Sequence, residues 1–81
     1  MNLVKELTEN IDRIHTTELG ALRIEKNIGV RIDDFASWCG RKIADADKII
    51  RKGKNWYIYS GGIIITVNAH SYTIITAHKE V

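Results

Sequence analysis

The stretch from Lys54 to Lys79 constrains the fold most, because its residue pattern predicts three β-strands separated by two turns. It is rich in β-branched and aromatic residues, which favour strands, and Gly61-Gly62 interrupts it once. Residues 68–71, Asn-Ala-His-Ser, interrupt it again. The chain before residue 45 instead places apolar residues at helical spacing. The sequence therefore predicts an α+β fold, with two or three N-terminal helices packed on one face of a three- to four-stranded antiparallel sheet.

We expect the 81 residues to form a single domain, with a helical part at about 3–44 and a sheet part at about 48–79. In the second helix, Leu19, Leu22 and Ile28 are expected to face the core. Residues 46–52 fit either a first strand or a short helical turn. The predicted helices are residues 3–15, residues 17–27 approximately, and Asp34 to about Ala44 with Asp33 as its cap.

The two-residue turn at Gly61-Gly62 predicts the register of the central hairpin. It pairs Ser60 with Ile63, and continues residue by residue to the pairing of Trp56 with Val67. Paired residues share a face. One face is therefore apolar and is expected to lie under the helices; it carries Trp56, Ile58, Ile63, Ile65 and Val67.

The last strand has two alternative registers, because a slip of one residue exchanges its faces. A three-residue loop puts alternate residues of this strand on the uncovered face, and a two-residue loop inverts them. We favour the three-residue loop because it separates polar from apolar residues better. The residues that it places on the uncovered face are Tyr72, Ile74, Thr76 and His78.

The composition argues against disulfide-bonded, zinc-binding and membrane-spanning classes of protein. A single cysteine, Cys39, excludes an internal disulfide and any zinc site built from several cysteines, and it suits a reduced, cytoplasmic setting. No apolar run approaches about 18 residues, so we expect no membrane span. The three histidines are scattered without the short spacings of a ligand set. We expect no metal and no cofactor.

Positive charge is concentrated just before the predicted sheet. The formal net charge is only +2, but residues 41–54 hold six basic side chains against Asp45 and Asp47. Cations beside aromatic rings and hydroxyls suit single-stranded RNA, because bases stack on rings and phosphates meet cations. An ordinary solvated sheet face is the alternative. The predicted binding residues are Arg51, Lys52, Lys54, Tyr57, Tyr59 and Tyr72.

Nearly the whole chain resembles a small family of uncharacterised bacterial proteins, a domain of unknown function. The C-terminal half carries the pattern Asn-Trp-Tyr at 55–57, followed by Ile-Thr-Val-Asn-Ala-His-Ser-Tyr-Thr-Ile-Ile-Thr-Ala-His-Lys at 65–79. The His-Thr-Thr-Glu-Leu-Gly stretch at 15–20 belongs to the same pattern. This resemblance implies no particular activity.

The C-terminal half is also distantly similar to barnase, colicin and RelE-like toxin nucleases. The similarity lies in Gly53, Trp56-Tyr57, Val67-Asn68 and the run at 74–76, whereas Ala77-His78 stands where those proteins have an aromatic pair. It implies an endoribonuclease acting on RNA, alone or on the ribosome. Histidine suits general acid–base catalysis near neutral pH, so His78, with Thr76 beside it, is the candidate catalytic residue.

A non-catalytic binding module is the other class, and it is the one we favour from the sequence. An uncovered sheet face or an exposed edge strand can recruit a protein partner or a second copy of the chain. An inhibitor of a nucleic-acid-processing enzyme would show a similar basic and aromatic surface.

Overall fold

The structure, a computed structural model, describes residues 3–80. Helices come first and strands second, which confirms the predicted α+β arrangement, and residues 48–52 form a strand. The elements are α1 Leu3–Glu9, a 3₁₀ turn Ile11–Arg13, α2 Glu18–Ile28, α3 Phe35–Ala44, β1 Lys48–Lys52, β2 Asn55–Ser60, β3 Ile63–Asn68 and β4 Ile74–Lys79.

The four strands form one antiparallel sheet in the order β1-β2-β3-β4. The predicted register of the central hairpin is confirmed, with Ser60 opposite Ile63 and Trp56 opposite Val67. Gly61 and Gly62 both have positive φ, 57° and 80°, which a tight two-residue hairpin turn requires and which glycine adopts without strain.

All three helices lie against the same face of this sheet. α1 packs on β1, α3 on β2, and α2 on β4. The strand residues beneath them are completely buried, with Trp56, Ile58 and Ile65 at 0% exposure. No element of residues 3–80 covers the opposite face, which we call the open face.

The first helix is shorter than predicted. α1 ends at Glu9, a 3₁₀ turn follows, and Ile14 is already extended with ψ 132°. The chain leaves the helical path because His15 pairs with the sheet: its N–H donates to the Tyr72 carbonyl at 3.1 Å, and it forms a parallel bridge with Thr73.

The side of α2 that faces the core matches the prediction only in part. Leu19 is 75% and Leu22 65% exposed, so their predicted core position is wrong. Ile28 is buried as predicted, and Ile24, which was not predicted, is buried beside it. The helix carries leucines on one side and isoleucines on the other, and contact with β4 selects the isoleucines.

The N-cap of α3 is Asp34 rather than the predicted Asp33. The Ser37 N–H donates to Asp34 Oδ1 at 3.1 Å, and the Ser37 hydroxyl donates to Asp34 Oδ2 at 3.0 Å. These hydrogen bonds stabilise the ionised carboxylate and lower the pKa of Asp34 below its usual range.

The prediction of which β4 residues lie on the uncovered face is correct for the second half of the strand and wrong for the first half. Thr76 pairs with Thr66, but Ile74 pairs with Val67, so a bulge inserts Ile75 between them. The extra residue reverses the alternation: Ile74 is buried at 1% exposure, whereas Ile75 is 42% exposed. Thr76 and His78 therefore lie on the open face as predicted, and Ile74 does not.

Candidate nucleic-acid interface

The open face is organised as three rows of side chains running across the strands. Paired residues share a face, so the register places each row directly. The first row is Lys48, Tyr59, Ile64 and His78; the second is Ile50, Tyr57, Thr66 and Thr76; the third is Lys52, Asn55 and Asn68.

The charge of the open face has a single sign. It carries Lys48 and Lys52, and none of the residues in the three rows is acidic. Lys48 and Lys52 stand four residues apart on β1, roughly 13 Å along the strand. An anion approaching this face therefore meets cations without a competing carboxylate.

Two tyrosines lie between these lysines on the neighbouring strand. Tyr57 and Tyr59 are partly exposed, and Lys48 Nζ lies 4.5 Å from the centroid of the Tyr59 ring. Together with Ile50 and Lys52, the two rings line a shallow depression of about 460 Å³. The depression offers aromatic surface and a cation at one place.

The centre of the open face is held by close packing and one polar contact. The Asn55 amide donates a hydrogen bond to Tyr57 Oη at 3.4 Å. Thr66 lies between Tyr57 and Thr76 in the second row, and it is only 7% exposed. Asn55 Oδ1 is buried and has no hydrogen-bond partner within residues 3–80. These contacts orient the Tyr57 ring from one side.

His78 lies at the far end of the first row, on the edge strand β4. Its side chain is exposed, and Nδ1 is 3.3 Å from the carbonyl oxygen of Lys79. Two strand spacings separate it from Tyr59, roughly 10 Å between Cα atoms. Thr76 lies two residues before it on the same face. The catalytic role of this pair stays a prediction.

Tyr72 does not belong to the open face, and its predicted position there is wrong. The residue is 3% exposed, with its ring 5.4 Å from the Trp56 ring and the Arg13 guanidinium 4.4 Å above it. Its backbone has φ 60°, a left-handed conformation uncommon outside glycine. The turn uses this conformation to direct the ring towards the core.

The basic stretch 41–54 is divided between different sides of the molecule. Arg51 pairs with Trp56 on the helix-covered face, with its guanidinium 5.3 Å from the Trp56 ring and its Nε donating to the Gly53 carbonyl at 3.1 Å. Lys54 is exposed in the turn between β1 and β2. Of the three predicted cations, only Lys52 projects from the open face; sequence reasoning missed Lys48.

A second polar cluster joins the N-terminal segment to the turn before β4. His15 Nδ1 is 2.9 Å from the Arg13 carbonyl oxygen, to which it can only donate, and Nε2 is 3.2 Å from Thr73 Oγ1. The Ser71 hydroxyl is 2.8 Å from Thr73 Oγ1. His15 and Thr73 are 58 residues apart, so no spacing in the sequence indicates this contact.

Cys39 is buried, and the described residues group no set of metal ligands. Burial raises the pKa of the Cys39 thiol to about 12, which keeps it protonated and unreactive near neutral pH. Among residues 3–80, no three His, Cys, Asp or Glu side chains group in a way that could hold a metal ion. The described helices are also too short or too polar to cross a membrane.

These features define an α+β fold, in which the three helices of residues 3–80 cover one face of a four-stranded antiparallel meander and leave a lysine- and tyrosine-bearing face open. The chain belongs to the family described as "Protein of unknown function (DUF3781)", whose model matches residues 8–78. A family of unknown function is what the resemblance in the sequence indicated. No curated protein and no solved structure matches the chain.

Proposed function

We propose that this domain is a non-catalytic module that binds single-stranded RNA on its open face. The observation that carries the proposal is the composition of that face: Lys48 and Lys52 flank Tyr57 and Tyr59, and no carboxylate stands among them. The lysine ammonium groups bind phosphates, and the bases stack on the tyrosine rings.

A single strand fits this face better than a duplex does. Stacking on protein rings needs bases that are free to leave their neighbours, and a duplex keeps its bases paired and stacked. Tyr57 and Tyr59 are two residues apart, roughly 7 Å along β2, so two bases of a flexible strand can reach them. Lys54, in the adjoining turn, extends the cationic border at one end.

The test is a fluorescence-anisotropy titration with a labelled eight-nucleotide oligouridylate at about 50 mM and 200 mM salt. Each phosphate contact on a single strand contributes about 0.7 to the slope of log K against log salt. We expect Lys48→Gln and Lys52→Gln each to reduce the slope by about that amount. Tyr59→Leu should weaken binding at both salt concentrations and leave the slope unchanged, because stacking is not ionic.

Lys26→Gln is the matched control, since Lys26 is an exposed lysine on α2, on the other side of the sheet. It should alter neither affinity nor slope. Equal losses from Lys26→Gln and Lys48→Gln would show that the RNA follows net charge rather than the open face. No binding at about 50 mM salt would overturn the proposal and favour the alternative of a protein partner.

Endoribonuclease activity is the second candidate, favoured by the presence of His78 and Thr76 in the two rows that hold the tyrosines. In this mechanism the 2′-oxygen attacks the adjacent phosphorus while the bond to the 5′-oxygen breaks, and His78 takes the proton from the 2′-hydroxyl or gives one to the leaving oxygen. Lysines of the open face neutralise the phosphate. Incubating the protein with RNA, with and without ribosomes, tests it. General acid–base catalysis is worth about 10²–10⁴-fold, so cleavage that His78→Ala leaves unchanged would refute the role of His78.

A further inference from the structure

The two edges of the sheet are not equivalent. The edge of β4 is closed along part of its length by the N-terminal half of the chain. The Ile74 N–H donates to the His15 carbonyl at 2.7 Å, and the Thr16 hydroxyl donates to the Ile74 carbonyl at 3.0 Å. Further along, the Asn27 amide donates to the Ala77 carbonyl at 3.3 Å. An incoming strand therefore finds these β4 groups already engaged.

The edge formed by β1 is open. β1 pairs with β2 on one side, and no other strand of residues 3–80 pairs with it. The two-residue turn at Gly53-Lys54 makes Lys52 and Asn55 a hydrogen-bonded pair, and such pairs alternate along an antiparallel ladder. The N–H and C=O groups of Ile49 and Arg51 therefore point away from the sheet. They are the groups to which a further strand would bond.

The side chains of β1 select what can bond there. Lys48, Arg51 and Lys52 are basic, no residue of the strand is acidic, and Ile50 is 39% exposed. A second copy pairing antiparallel about Ile50 would set Lys48 opposite Lys52 at both ends, and like charges directly opposite destabilise a pair. RNA has no peptide backbone with which to extend the ladder. The edge suits a peptide of opposite charge.

We infer that β1 binds an extended acidic peptide segment as a fifth strand. Carboxylates of this segment lie beside Lys48 and the Arg51-Lys52 pair, and aliphatic side chains lie beside Ile49 and Ile50. Backbone hydrogen bonds supply affinity, and alternate side chains supply specificity. Because Lys48 and Lys52 also project from the open face, such a peptide competes with any polyanion bound there. The peptide site itself does not depend on RNA binding.

The experiment uses the charge complement of β1, the synthetic peptide acetyl-Ser-Glu-Glu-Val-Val-Glu-Ser-amide, titrated into the ¹⁵N-labelled full chain and followed by NMR. We expect the largest amide shifts along β1 and slowed hydrogen exchange of the Ile49 and Arg51 amides. The same peptide with alternate amides N-methylated keeps its charge but cannot pair, so it should not bind. Equal binding by the methylated peptide would overturn the inference, because contact would then be purely ionic. So would the absence of binding.

A matched pair of variants tests the same point from the protein. Arg51→Gln and Arg51→Pro both remove the guanidinium, but only proline also removes the outward N–H, and an edge position of this kind tolerates proline. Loss of one hydrogen bond corresponds to about 2- to 12-fold in affinity, so Arg51→Pro should bind the peptide more weakly than Arg51→Gln by that factor. Equal affinities of the two folded variants would overturn the inference. If Arg51→Pro does not fold, the comparison of the plain and the N-methylated peptide decides the matter. The RNA titration tests the proposed function independently, so the two proposals can fail separately.

Discussion

The one-sided burial of the sheet can be tested with two isoleucines that differ mainly in the face they occupy. Ile65, in the central strand β3, is 0% exposed and lies between Ile58 and Ala77. Ile65→Ala leaves a cavity that the small Ala77 side chain cannot fill, at a cost of about 2–5 kcal/mol. At the free energy of unfolding usual per residue, a folded chain of 81 residues is stable by about 4–12 kcal/mol, so this loss is a large fraction of the whole.

Ile50→Ala is the control, since it makes the same chemical change at a position that is 39% exposed on the open face. We expect it to cost about 1 kcal/mol or less, the scale of strand propensity. The assay is urea unfolding followed by the fluorescence of the buried Trp38 and Trp56, with the slope m unchanged. Equal losses from the two variants would refute the one-sided burial and show that the open face is covered in solution.

Two further predictions concern single ionisable groups. Because burial raises the pKa of Cys39 to about 12, iodoacetamide at pH 8 should leave the native protein unlabelled and alkylate it fully in denaturant; equal rates would contradict its burial. The pKa of Asp34 is lowered in the folded state, so its contribution to stability is present above the unfolded-state pKa near 4 and is lost as the pH falls through the folded pKa. Thermal unfolding should therefore show a steeper loss below about pH 4 for the wild type than for Asp34→Asn, and parallel curves would contradict this.

The central hairpin could be predicted from the sequence because its turn leaves little freedom. Two adjacent glycines define a two-residue loop, and that loop fixes every pair from Ser60–Ile63 to Trp56–Val67. The turn before β4 contains no such signal. Tyr72 takes a positive φ there without being glycine, and the bulge at Ile75 reverses the alternation on which the prediction depended.

The orientation of α2 illustrates a second limit. Periodicity shows that a helix has apolar stripes but does not show which stripe meets the sheet when both sides carry aliphatic residues. Leu19 and Leu22 satisfy the helical spacing as well as Ile24 and Ile28 do, and only the tertiary contact with β4 separates the two pairs. In the candidate interface, Lys48 was missed for a related reason. The sequence left residues 46–52 as either a strand or a helical turn, and only the strand pairing places Lys48 on the open face.

The bridge between His15 and Thr73 has a consequence for the order in which the molecule assembles. Every strand of the sheet pairs with its neighbour in sequence, so each hairpin forms by closing a short loop. Docking the His15 segment and α2 against β4 instead joins residues 58 apart, and loop-closure entropy makes such a step slow. We therefore expect the strands of the meander to pair before the N-terminal segment docks on them. Pulse-labelled hydrogen exchange would report this order as late protection of the His15 and Ile74 amides.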